Sequence, residues 1–89
     1  MTTVEALQDR NELSDRSFEH RLAVVIRRER LKKKKTQEQV ARALGTYQAL
    51  ITRIENGRRG VSLGEYVRMA TVIGFDPVAG LRRALKSSD

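Results

Sequence analysis

From Thr36 onward, residues that start helices and residues that end them alternate so closely that the chain has room only for short helices. Thr36-Gln37-Glu38-Gln39 has the capping-box form, in which the Thr hydroxyl and the Gln side chain each satisfy an orphan backbone donor of a first turn. Gly45 stands directly behind Leu44, able to end that helix in the left-handed conformation without a Cβ penalty. A second helical pattern, Leu50, Ile51 and Ile54, begins a few residues later and stops at Asn56-Gly57. Ser62-Leu63-Gly64-Glu65 repeats the capping box, and Gly74 closes the helix marked by Leu63, Tyr66, Val67, Ala70 and Ile73. Asp76-Pro77 opens the last one, with a capping carboxylate and a proline at the first helical position; Val78, Leu81, Ala84 and Leu85 follow. Upstream, Phe18, Leu22, Val25 and Ile26 recur at helical spacing and predict a first helix from about Ser17 to about Lys33. The expected fold class is therefore all-α, with five helices and no strand.

A chain of 89 residues forms one small domain. Such a domain buries only about two-thirds of its unfolded surface, so self-association can contribute to its stability. Residues 17–86 are expected to form the helical domain and residues 87–89 a tail. Residues 1–16 have few apolar side chains and read as a flexible acidic N-terminal arm with a short helix near Thr3 to Gln8. There is no Cys, which excludes disulfides, thiol chemistry and cysteine-based zinc sites, and a single His, His20, excludes a His-rich metal site. No metal and no cofactor is expected. The six glycines stand one by one at helix ends and turns, so no glycine loop is available to cradle a nucleotide, and His20 has no catalytic constellation around it. The expectation is that the chain is not an enzyme. No apolar run approaches the roughly 18 residues of a membrane span, and the start MTTVEALQDRNE is unlike a signal peptide. A cytoplasmic protein without a membrane partner is expected.

Charge narrows the partner. The net charge is +7, but residues 1–20 carry five acids against two bases, whereas residues 21–89 carry 16 bases against six acids. A body this basic concentrates polyanions around itself, and double-stranded DNA is the expected partner. Two short helices joined by a tight, glycine-containing turn on such a body form the helix-turn-helix arrangement, in which one helix lies across the DNA backbone and holds the other in the major groove.

The segment TQEQVARALGTYQALITRIENG resembles the helix-turn-helix family of phage repressors and Cro, often called the XRE family. Thr36-Gln37, Ala41, Gly45, Ile51 and Glu55-Asn56-Gly57 carry the resemblance at their mutual spacings, and it extends over roughly Leu22 to Leu81. It implies a five-helix, lambda-repressor-like domain. It further implies that Gln48, Ala49, Thr52 and Arg53 read base edges and that Gln37, Tyr47, Asn56, Arg58 and Arg59 approach phosphates. Glutamine can pair with adenine and arginine with guanine, which agrees with part of that assignment. Leu50 is either a groove-facing contact or a core residue beside Ile51. Arg30 and Glu55 match a structural salt bridge of the family, and Val78, Leu81 and Leu85 offer an apolar strip for pairing of two copies.

The sequence departs from the family in two places. Lys34-Lys35 stands where the family usually has Gly-Leu, so an expected core leucine is missing, and Val61 occupies a loop that commonly holds proline. The implied function is a sequence-specific transcriptional regulator, a repressor that binds an inverted-repeat operator as a homodimer. The alternative is a DNA-binding antitoxin whose acidic arm neutralises a toxin or another protein partner. An RNA-binding or bridging cofactor forms a third class.

Overall fold

The computed structural model describes the backbone of residues 4–86 and the side chains of residues 18–86. Five helices follow one another: α1 Val4–Lys32, α2 Gln37–Leu44, α3 Gln48–Glu55, α4 Leu63–Ile73 and α5 Pro77–Lys86. There is no strand among the described residues. Both capping boxes form. Thr36 Oγ1 accepts from the Gln39 N–H at 3.0 Å while Gln39 Oε1 accepts from the Thr36 N–H at 2.8 Å. Ser62 and Glu65 exchange the same pair at 3.1 and 3.0 Å. Asp76 Oδ1 accepts from the Val78 N–H at 2.9 Å, which opens α5 at Pro77.

The first helix starts at Val4 rather than at about Ser17. The segment expected to be a loose arm therefore continues α1 from residue 4 to residue 16, which takes in residues 4–8 of the short helix expected near Thr3 to Gln8; Thr3 lies outside the described residues. The physical reason is that residues 4–32 contain neither Gly nor Pro. Once the turns after Ser17 exist, extending the helix adds a hydrogen bond per residue without a new nucleus. A lack of core-facing side chains limits what a helix can cover, not whether it continues. Residues 87–89, read as a tail, lie outside the described residues.

The core joins Leu22, Val25 and Ile26 of α1 to Val40 and Ala41 of α2, Ile51 and Ile54 of α3, Tyr66, Met69 and Ile73 of α4, and Ala84 of α5. Helix α1 packs on α3, α4 and α5, and α2 on α3 and α4. Tyr66 is fully buried, its ring edge-on to Phe75 with centroids 6.0 Å apart, and its hydroxyl donates to the Pro77 carbonyl at 2.7 Å. Helix α4 is rotated from expectation: Tyr66, Met69, Ala70 and Ile73 face inward, whereas Leu63 and Val67 are exposed. Val67 lies 100° round the helix from Tyr66, so both cannot face one core. Leu50 is half-buried against the core.

The Lys34-Lys35 pair is accommodated without the leucine. Lys34 has φ 57. Its N–H bonds to the Leu31 carbonyl at 2.9 Å and the next N–H to the Arg30 carbonyl at 3.1 Å, the two bonds of a Schellman ending. Lys35 is half-buried, and its Nζ donates to the Val72 carbonyl at 2.7 Å near the end of α4. An L-residue in the left-handed region costs roughly 1–2 kcal/mol, part of which a glycine would return as unfolded-chain entropy. Lys34→Gly is therefore expected to stabilise the domain by about 0.5–1 kcal/mol, read as a melting temperature several degrees higher. An unchanged or lower value would show that Lys34 makes up the strain elsewhere.

Candidate nucleic-acid interface

Gly45, with φ 72, and the two residues after it turn the chain from α2 into α3. Ile51 and Ile54 fix α3 by burying one side of it, and the opposite side follows from the helical period: Gln48, Ala49 and Arg53 are exposed and Thr52 is half-buried. Tyr47 precedes the helix as its N-cap residue, makes no side-chain capping bond, and is 79% exposed.

Behind this face lies an ion pair. Arg30 holds Glu55 with two bonds, Nε to Oε2 at 2.7 Å and Nη2 to Oε1 at 2.9 Å. The side chains are 8% and 1% exposed, so α1 is tied to the end of α3 out of water. Arg30 Nη1 also donates to the Lys35 carbonyl at 2.8 Å. The bond to Glu55 raises the guanidinium above its usual range, with burial opposing. Gln37 joins the same group: its Nε2 donates to Glu55 Oε1 at 3.0 Å, and its Oε1 accepts from the Thr52 hydroxyl at 2.6 Å. Gln48 Nε2 stands 3.5 Å from the same oxygen.

The loop after α3 separates two arginines that look equivalent in sequence. Arg58 is exposed and makes no ion pair among the described residues. Arg59 donates to both carboxylate oxygens of Glu65, at 3.0 and 2.9 Å, and to the Gly60 carbonyl at 3.1 Å. Arg59 above all, then the Ser62 N–H, holds the Glu65 carboxyl well below the usual carboxylate range, at about 2. Asn56 ends α3 and is exposed, and Gly57 takes φ 74 beyond it.

A family model described as a helix-turn-helix domain matches residues 21–85. The chain belongs to the helix-turn-helix domain family. Its fold also matches a solved XRE-family like protein from Pseudomonas syringae pv. tomato str. DC3000, with a TM-score of 0.80 at 22% identity, covering 91% of this chain and 99% of that one. No curated protein matches in sequence. Since residues 17–89 make up only about 82% of the chain, the structural match reaches into the segment before Ser17.

By its family this helix-turn-helix protein is a DNA-binding regulator. Among the described residues no helix is long and apolar enough to cross a membrane. On α5, Val78 and Leu85 are 56% and 66% exposed, whereas Leu81 is half-buried against the core. The Gln37–Glu55 and Gln37–Thr52 bonds were not legible in the sequence, since they join residues 18 and 15 positions apart. The Arg59–Glu65 pair had a signal: the acid of the second capping box lies six residues from a loop arginine.

Proposed function

We propose that this chain is a sequence-specific transcriptional repressor of the cytoplasm that binds an inverted-repeat operator as a homodimer. The observation that supports it is the division of α3, with Ile51 and Ile54 buried on one side and Gln48, Ala49 and Arg53 exposed on the other. A helix of this length spans about 12 Å and enters a major groove about 12 Å wide. Gln48, Ala49, Thr52 and Arg53 read base edges, and Arg53 is the principal reader because guanidinium pairs with guanine in a bidentate manner. Gln37 and Tyr47, at the starts of α2 and α3, and Asn56 with Arg58, after α3, approach the phosphates. Arg58 carries more of that contact than Arg59, which already faces Glu65. One such helix covers few base pairs, so two copies paired through exposed Val78 and Leu85 read half-sites about 10 base pairs apart. Leu81 supports this surface from the core side.

Selection of bound sequences from random duplex DNA tests the reading, with an inverted repeat as the expected product. On that product Arg53→Ala should weaken binding by about 1–3 kcal/mol, with a much smaller loss on random duplexes. Equal losses on both would remove Arg53 from the base-reading set. Sedimentation that shows a monomer both free and on the selected DNA would overturn the dimer.

A further inference from the structure

A series of hydrogen bonds that begins at the buried ion pair decides which way one groove-side hydroxyl points. Both Glu55 carboxylate oxygens accept from the donor-only Arg30 guanidinium in a two-bond pair. Gln37 reaches Glu55 Oε1 at 3.0 Å, and only its NH2 group can make that bond. The amide orientation follows from chemistry. Its oxygen is then the atom 2.6 Å from Thr52 Oγ1, and since an amide oxygen only accepts, the hydroxyl must donate. The other neighbour of that hydroxyl, the Gln48 carbonyl at 3.1 Å, is also an acceptor. Both internal partners claim the proton. What Thr52 has left to offer a base is a lone pair.

We infer that Thr52 acts as a specificity-determining acceptor, selecting an amino base, adenine or cytosine, over a keto base, guanine or thymine, on the strand it faces. This rests on the reading of α3 as the recognition helix. In the major groove adenine N6 and cytosine N4 donate, whereas guanine O6 and thymine O4 accept. Against a keto base the Thr52 oxygen either meets another acceptor or turns its proton outward, giving up its 2.6 Å bond and leaving the Gln37 oxygen only the long 3.5 Å contact from Gln48 Nε2, which is costly. Gln37 and Glu55 are positioning residues that act through Thr52. Arg53, the next residue, is donor-only, so adjacent positions of α3 select opposite hydrogen-bond polarity.

Selection from random duplex DNA with the full chain tests this against Thr52→Val and Gln37→Met. The position whose preference changes in Thr52→Val is the one Thr52 faces. There the unaltered protein should favour A or C over G or T about tenfold, the worth of one hydrogen bond. Thr52→Val keeps the branched shape without the oxygen and should abolish this preference while other positions keep theirs. Gln37→Met keeps the length without the acceptor, leaves the hydroxyl only the longer bond to the Gln48 carbonyl to give up when it donates outward, and should admit G or T to within about threefold. Loss of the Gln37 phosphate contact weakens all sequences alike, so the readout is the preference at that one position, which a merely structural role for Gln37 would leave unchanged. A G or T preference at that position, no position altered by Thr52→Val, or an undiminished A or C preference in Gln37→Met overturns the inference while the operator reading stands. Enrichment of no duplex overturns both.

Discussion

Glu55→Ala is expected to destabilise the domain by about 3–5 kcal/mol, the cost of leaving a buried charge without its partner. Arg30 is 8% exposed at its side chain and cannot recover its hydration without moving α1. Gln37 loses its acceptor at the same time. A chain of this size holds on the order of 4–13 kcal/mol in total, so the variant should be largely or partly unfolded at physiological temperature. Urea denaturation of both proteins measures the difference. Replacing both members by apolar residues, Arg30→Met with Glu55→Leu, should recover much of the loss, because the penalty belongs to the orphaned charge rather than to the missing attraction. A loss below about 1 kcal/mol for Glu55→Ala would mean that water reaches Arg30.

Gly80→Ala is expected to lower stability by roughly 2 kcal/mol, although helix propensity alone would raise it by about 1. Gly80 is buried inside α5, where a Cβ would meet the Tyr66 hydroxyl and sit 2.8 Å from Phe75 Cε2. The Tyr66 hydroxyl is held by the Pro77 carbonyl at 2.7 Å and its ring is fully buried. The added methyl therefore has to push α5 away from α4. Gly64→Ala is the control: it lies in helix α4 with nothing within 4 Å of an added Cβ. That change should stabilise by up to about 1 kcal/mol. Thermal unfolding of the two variants should give shifts of opposite sign, and a rise in both would refute the close packing of α5 on α4.

The parts of this protein legible in its sequence are those that rest on chemistry within four residues. Thr36 with Gln39, Ser62 with Glu65, and Asp76 ahead of Pro77 start helices wherever the chain goes, and Gly45 and Gly74 end them, so α2, α4 and α5 begin where their caps stand. The buried period of Val40, Ala41, Ile51 and Ile54 likewise follows from spacing alone. Tertiary structure decided what spacing leaves open. Two apolar neighbours such as Tyr66 and Val67 compete for one inward direction, and only the helices packed against α4 choose between them. The extent of α1 depended on the stability of a helix already nucleated, not on any start signal near Ser17. Lys34 took a glycine's backbone conformation because Lys35 had partners on either side, Arg30 and Val72, to hold the turn. Gln37, Thr52 and Glu55 meet because α2 and α3 pack at one angle, and hydrogen-bond direction, unlike hydrophobic pattern, is defined only once the donor and acceptor share a place in space.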